Sequence, residues 1–399
     1  MLDAMLAGVV QMPPDAPRLL ALVNARLALP DGEREGGVLV DAGRITDVLA
    51  PGQTPPERAG RVDCGGRLIA AGLIDVHVHG GGGRSLMTDD PVEVRAYARW
   101  VVRHGVTSFL ISTSGRDHAE ILRRLSALAP VVGREAGSAR VLGFHLEGPY
   151  INPVRKGAFD ARWLRPPSAG EYRDLFEASG GAIRQMTLAP ELPGADALIR
   201  AIVESGAAAA IGHTDATYEQ VRRAIDLGAT HVTHCFNAMR PFGHRDPGVL
   251  GAILESDAVS AELIGDGAHV DYAAARVLLR AKGADRIVLV TDGMPLAGTP
   301  DGEAEWEGER IRVDGGKAVR DDGTIVGGVT TLDQMVQNAA QYMGVERDDA
   351  LRMASGNAAR AVGVGEAYGA LAPGHAADFV LLDDGLRVVE TWVAGERVF

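Results

Sequence analysis

The stretch that decides the fold is Gly72-Leu73-Ile74-Asp75-Val76-His77-Val78-His79-Gly80. Apolar and β-branched residues dominate it and a glycine run, Gly80 to Gly83, follows, so it reads as a buried strand that stops in a loop. Side chains alternate faces along a strand, which places His77 and His79 on one face at its C-terminal end. Two imidazoles side by side are half of a metal site; taken alone, such a pair is more often two hydrogen-bonded core histidines. What later strands bring to the same end decides between the two.

Downstream the rhythm repeats. Strand-like runs fall at 73–79, 106–113, 140–147, 183–189, 207–213, 229–235, 260–266 and 286–292. Helical spacing lies between them, as in Pro91 to His104, Ala119 to Leu128, Ala195 to Ser205, Tyr218 to Leu227 and Tyr272 to Lys282. This alternation predicts an α/β fold, a (β/α)8 TIM barrel. The rival, a doubly wound sheet binding a dinucleotide, lacks its Gly-x-Gly-x-x-Gly between strand and helix.

Both chain ends differ from this middle. A loose lead-in over residues 1–16 precedes short β-rich pieces at Leu19 to Ala28, Gly37 to Asp41, Arg44 to Leu49 and Arg61 to Ile69. After the barrel pattern, Asp301 to Thr324 reads as a hairpin-bearing loop, and Thr331 to Met343 and Asp348 to Ala361 read as helices. Strands return at Asp378 to Leu382 and Val388 to Val398. The expectation is a small β-sandwich domain built from 17–70 plus 364–399, around a barrel spanning 71–363.

A chain of 399 residues, 46% hydrophobic and 23% charged, has ample material for such a core. Its net charge of -13 argues against nucleic acid or an anionic membrane as partner. Cys64 and Cys235, far apart, make no disulfide framework. Met1 to Val10 is apolar but carries Asp3 and lacks a basic start, unlike a signal peptide, and no uncharged run has membrane-spanning length. A cytoplasmic enzyme with a small-molecule substrate is the expectation.

In a barrel of this type the chemistry sits at the C-terminal strand ends. Those ends carry His77 and His79, His145 and Glu147, His213, His234, Asp266 with His269, and Asp292. Glu147, His213 and His234 make a three-ligand set with a position open for water; His77 and His79 would hold a second ion, Glu147 bridging the two. Nitrogen and oxygen donors suit one or two divalent ions, zinc first, with iron or manganese as alternatives. Each residue alone is a rim histidine or a solvated carboxylate; the weight lies in the set. His145 is placed for support behind the ligands. His231 is set outside the site, His104, His118, His244 and His375 on the surface or in helices, and Cys235 in the core.

These motifs resemble the amidohydrolase superfamily, and more narrowly the N-acetylglucosamine-6-phosphate deacetylase family. The resemblance rests on Gly72 to Gly80, His145-Leu146-Glu147-Gly148-Pro149, Gly212-His213-Thr214-Asp215, Thr233-His234-Cys235-Phe236-Asn237-Ala238-Met239, Asp266-Gly267-Ala268-His269 and Thr291-Asp292. It implies metal-dependent deacetylation of an N-acetylated amino-sugar 6-phosphate, with glucosamine 6-phosphate and acetate as products. Glu147, His213 and His234 then correspond to constant metal ligands, His77 and His79 to a second metal position, and Asp292 to the acid/base. Asn237, Ala238 and Arg245 match a phosphate-contacting segment and His269 a substrate contact; Ala158, Ile325, Val326 and Gly327 fall where the sugar is lined. The resemblance also implies a homodimer in which Arg245 reaches the neighbouring site. Phe159 stands where Lys-Gly-Ala-His or Lys-Gly-Thr-His is typical, Gly328 where serine is, and Gly293-Met294-Pro295 is unusual, so the identity of the sugar stays open. A dihydroorotase-like or N-acyl-amino-acid amidohydrolase, which would need a carboxylated lysine between the metals, and a non-catalytic scaffold are the alternatives.

Overall fold

The computed structural model describes residues 19–299, 302–306 and 308–399. The lead-in over 1–16, the readings of its first ten residues and the first two residues of the end domain lie outside the described residues. Eight parallel strands form the barrel: Leu73–Asp75, Val106–Thr113, Arg140–Glu147, Ile183–Leu188, Ala208–Ile211, His231–Val232, Ser260–Ile264 and Ile287–Val290. Each pairs with the next in sequence. Strands covered on both faces need no polar side, hence their near-continuous apolar runs. The first and last strands meet just beyond their ends, where Val78 bridges Gly293, His79 N–H donates to Gly293 C=O at 2.9 Å and Asp292 N–H to His77 C=O at 2.9 Å. The backbone that closes the barrel is therefore the backbone that carries the histidine pair and Asp292.

Helices Pro91–Val101, His118–Leu128, Ala195–Glu204, Tyr218–Asp226 and Tyr272–Lys282 occupy the places their periodicity predicts. Ala169–Ala178 and Gly248–Glu255 were not anticipated. The helix expected over 348–361 is two, Arg347–Met353 and Gly356–Ala361, because the chain leaves helical geometry at Ser355, with φ -137 and ψ -87.

The expected hairpin loop after the eighth strand is a complete four-stranded antiparallel sheet: Glu303–Trp306, Glu309–Asp314, Lys317–Arg320 and Ile325–Gly328. It has its own apolar core, including Met294, Leu296, Trp306, Ile311 and Val326. Gly328 N–H donates to Asp292 C=O at 2.7 Å, so its last strand is fastened to the barrel mouth.

Strands from both chain ends share one eight-stranded sheet, in which Leu68–Ala71 pairs in parallel with Leu19–Leu29 and antiparallel with Phe379–Leu382. Its hydrogen bonding is continuous, and the sheet folds over a core of its own to make the small β-sandwich expected of the two chain ends. It curls until its far edge meets the segment before Phe379, with Ile45 N–H donating to His375 C=O at 2.9 Å. Strand alternation sorts its residues: Ile69, Phe379 and Leu381 face a core of their own, while Leu68, Val380 and Leu382 join the barrel's. Two cores support the division into 17–70 plus 364–399 and 71–363, which we propose as domain boundaries.

Gly72 is where the chain passes from that sheet into the barrel. Its N–H donates to Asp378 C=O at 3.0 Å, and a Cβ there would stand 2.2 Å from Thr107 Oγ1 and 2.3 Å from its Cγ2. Gly72→Ala is expected to cost about 1–3 kcal/mol by overpacking. Chemical denaturation checks this, and Thr107→Ala in the same chain should recover much of the loss; no recovery would mean that Thr107 is not the obstacle.

Candidate active site

Glu147 ends the third strand and is buried at the barrel mouth. Its Oε1 lies 3.1 Å from His213 Nε2, 3.1 Å from His234 Nε2 and 3.5 Å from His77 Nε2, and its Oε2 lies 3.0 Å from His79 Nε2. His213 and His234 approach each other at 2.9 Å through their Nε2 atoms, and His77 and His79 at 3.3 Å. Asp292 Oδ1 stands 3.4 Å from Nε2 of both His77 and His79. Two groups result, Glu147 with His213 and His234, and His77 with His79 and Asp292.

Their protonation explains why these atoms crowd together. His213 Nδ1 is 2.9 Å from the carbonyl of Arg155, which can only accept, so Nδ1 carries the proton and Nε2 the lone pair. His77 Nδ1 is 2.8 Å from the Glu262 carboxylate and also carries a proton, so its Nε2 offers a lone pair whenever the ring is neutral. Lone pairs and carboxylate oxygens facing one another repel unless a cation lies between them. Their spacing is also near the edge, about 3.3 Å, of a tetrahedron with 2.0–2.1 Å bonds to a metal such as zinc. The residues fit a divalent ion in each group. Burial opposes ionisation of Glu147, but His77, His213 and His234 hold its carboxyl well below the usual range.

Backbone geometry turns the ligands inward. His213, His234 and Asp292, each just past a strand, have φ of 46°, 27° and 44°. Left-handed backbone at non-glycine residues is costly and is held by surrounding structure at sites of this type.

Behind the ligands lies the residue that the sequence reading passed over. Glu262, in the seventh strand, is buried and accepts four hydrogen bonds: His77 Nδ1 at 2.8 Å, His234 N–H at 2.9 Å, Gln185 Nε2 at 2.7 Å and His231 Nε2 at 3.0 Å. Burial resists its charge, yet His77 and His231 hold its pKa well below normal. His231, set outside the site from sequence, thus stands two contacts from a ligand. A single glutamate within Ser-Ala-Glu-Leu-Ile was the available signal, since a charge inside a buried strand needs a partner. His145 does support the site: its rings and hydrogen bonds pack against His77 (centroids 4.5 Å), Ser112 (2.9 Å) and Thr187 (2.8 Å). Burial keeps it neutral, its pKa pushed well below normal. Cys235 is buried core, as expected.

Above the ligands opens a cavity of about 430 Å³. Ala158, Asn237, Ala238, His269, Ile325, Val326 and Gly327 all line it, with Asp292 at its base. Arg245 does not; it is exposed on the loop that follows Ala238. His269 Nδ1 pairs with Asp266 Oδ2 at 2.6 Å, which leaves Nε2, buried and unpartnered, as an acceptor. Phe159 stands edge-on to His213, centroids 5.2 Å apart, and with Trp306 makes one wall apolar. Arg155, Ser114 and Trp306 also line the cavity and were not singled out in the sequence.

A parallel barrel with a carboxylate and histidines gathered at its C-terminal mouth defines a metal-dependent hydrolase. The chain belongs to the amidohydrolase family, whose profile matches residues 68–398. It is 38% identical to a human N-acetylglucosamine-6-phosphate deacetylase across 96% of both chains. It is also 38% identical to an N-acetylgalactosamine-6-phosphate deacetylase of Escherichia coli O157:H7 over 82% of this chain and 87% of that one. A mutant N-acetyl-D-glucosamine-6-phosphate deacetylase from Mycobacterium smegmatis, solved in complex with N-acetyl-D-glucosamine-6-phosphate, superposes with a TM-score of 0.87 at 36% identity, covering 95% of this chain and 99% of that chain.

Glu262→Gln keeps the shape of the group behind His77 and removes its charge. Metal affinity is expected to fall about 10- to 100-fold, measured by competition with a chromophoric chelator. Unchanged affinity would reduce Glu262 to a packing residue.

Proposed function

We propose that this chain removes the acetyl group from an N-acetylated amino-sugar 6-phosphate, most directly N-acetylglucosamine 6-phosphate, giving glucosamine 6-phosphate and acetate. The observation that carries the reading is the convergence of Glu147, His213 and His234 beside Asp292 at the floor of the cavity. Relatives named for this reaction across nearly the whole chain support it.

An amide carbonyl is a weak electrophile and neutral water a weak nucleophile. A divalent ion in this site, which we take to be zinc, would polarise the one and acidify the other. Glu147, His213 and His234 would hold it, and His77, His79 and Asp292 would offer a second position. Asp292 accepts the proton of the attacking water and returns it to the amide nitrogen as the C–N bond breaks. His269, held at Nδ1 by Asp266, orients the sugar through its Nε2. Trp306, Phe159 and the strand Ile325–Gly328 exclude bulk water from one side. We further propose a homodimer in which Arg245 reaches the neighbouring cavity, consistent with its exposed position outside its own. A cytoplasmic location follows from a substrate trapped by its phosphate, and suits two free cysteines.

A second reading concerns the sugar alone. Phe159 presents an apolar edge to the substrate, and one relative is named for N-acetylgalactosamine 6-phosphate, so the opposite C4 epimer is the competitor.

Asp292→Asn should retain the ion at Glu147, His213 and His234 by elemental analysis and lose on the order of 10³-fold in kcat. Full activity would remove Asp292 from the mechanism. A panel of the two epimers, each with and without phosphate, tests the substrate; acetate release from neither phosphorylated epimer would end the reading.

A further inference from the structure

A sugar phosphate brings about -1.5 to -2 charge into a cavity whose floor already holds carboxylates. The phosphate therefore has to find a cation far from Glu147 and Asp292. Among the described residues lining the cavity, Arg155 is the single arginine or lysine. It ends the short turn Pro153–Arg155, and its backbone carbonyl is the acceptor that orients His213. One residue thus touches His213 through its main chain and also lines the cavity.

The guanidinium is held from one edge. Nε donates to Asp215 Oδ1 at 2.8 Å, and Nη2 reaches the same oxygen at 2.8 Å. A guanidinium carries five N–H groups in a planar fork, so this contact leaves the Nη1 edge open to a second acceptor. Asp215 is shared as well: its Oδ2 lies 3.4 Å from Arg240 Nη1, and Arg240 Nη2 holds Asp246 at 2.7 Å. Glu191, the other acid nearby, is engaged by Asn152 Nδ2, Thr214 Oγ1 and Asp215 N–H. Asp215 therefore braces Arg155 without using up its donors. The brace also joins the cavity to the Asn237–Ala238 segment, since Thr214 N–H donates to Ala238 C=O at 3.1 Å.

We propose that Arg155 reads the substrate phosphate from within the same chain, its open edge making a forked, charge-assisted pair with two phosphate oxygens while Asp215 fixes its plane. This deepens the proposed activity and rests on it. Arg155 acts on specificity: it orients the sugar over the metal site and takes no part in bond breaking.

The test compares N-acetylglucosamine 6-phosphate with N-acetylglucosamine, as the ratio of their kcat/KM values, in wild type, Arg155→Met and Arg155→Lys, all with metal content verified. The ratio is expected to fall on the order of 10- to 100-fold in Arg155→Met, mainly through KM, with partial retention in Arg155→Lys. Inorganic phosphate should inhibit the wild type competitively and Arg155→Met more weakly by a similar factor. Asp215→Asn supplies a variant in which the arginine is present but unbraced; its ratio should fall less than that of Arg155→Met. An unchanged ratio in Arg155→Met, with a wild type that discriminates, overturns the role of Arg155 and leaves the deacetylase reading standing. A wild type that releases acetate equally from both sugars overturns the phosphate reading together with this inference.

Discussion

A buried carboxylate surrounded by imidazole lone pairs is the constraint on which this molecule depends. Glu147 sits 5% exposed with four Nε2 atoms within 3.5 Å. In so dry a place an ionised carboxylate costs several kcal/mol unless opposite charge faces it. Neutral imidazoles cannot supply that charge here, because the Arg155 carbonyl and Glu262 keep the protons of His213 and His77 on Nδ1. Two cations can: a metal ion, or protons that convert the rings to imidazolium. Burial works against the second, yet the carboxylates around His77 still hold its pKa well above normal. Protons and metal compete for the same lone pairs, so acid weakens metal binding at this site.

The scaffold converts that local demand into a fixed geometry. Apart from His77 and His79, which both follow the first strand, each candidate ligand comes from a different strand or strand end, so the cluster exists only when the barrel is closed. Closure itself runs through the site, by the hydrogen bonds between residues 77–79 and 292–293. Beneath them Asp75 accepts from Thr291 Oγ1 at 2.6 Å, tying the first strand to the eighth, and burial pushes its pKa up to about 7. The sheet of the chain ends braces the same strand from below, through Gly72 and Asp378. The Glu303–Gly328 sheet roofs it from above. Barrel, end sheet and roof thus all bear on the segment Gly72 to Gly80.

Much of this was legible in the residues. Parallel barrel strands are mostly apolar and end in loops, so their period and punctuation are strong, and their ends are where the logic of the fold looks for candidate ligands. Less legible were features that depend on partners distant in sequence. Glu262 looks like any strand glutamate until His77, His231 and Gln185 are known to surround it. Arg155 lies in a polar loop and gains meaning only from the cavity it lines. The 303–328 sheet is charged on its outer face, which masked the alternation of Ile311 and Val313 and the buried pair Ala318-Val319 as a loop. Asp348 to Ala361 has helical spacing, but Ser355-Gly356-Asn357 in its middle are weak helix formers and the chain breaks there, with Gly356 so close to Gly369 that a Cβ would meet its C=O at 3.0 Å.

Anomalous diffraction from crystals of the purified, active protein, recorded on both sides of a transition-metal absorption edge, tests the central claim most directly. The account predicts a peak enclosed by Glu147, His213 and His234, with any second peak at His77, His79 and Asp292. Active crystals with no peak among Glu147, His213 and His234 would contradict it.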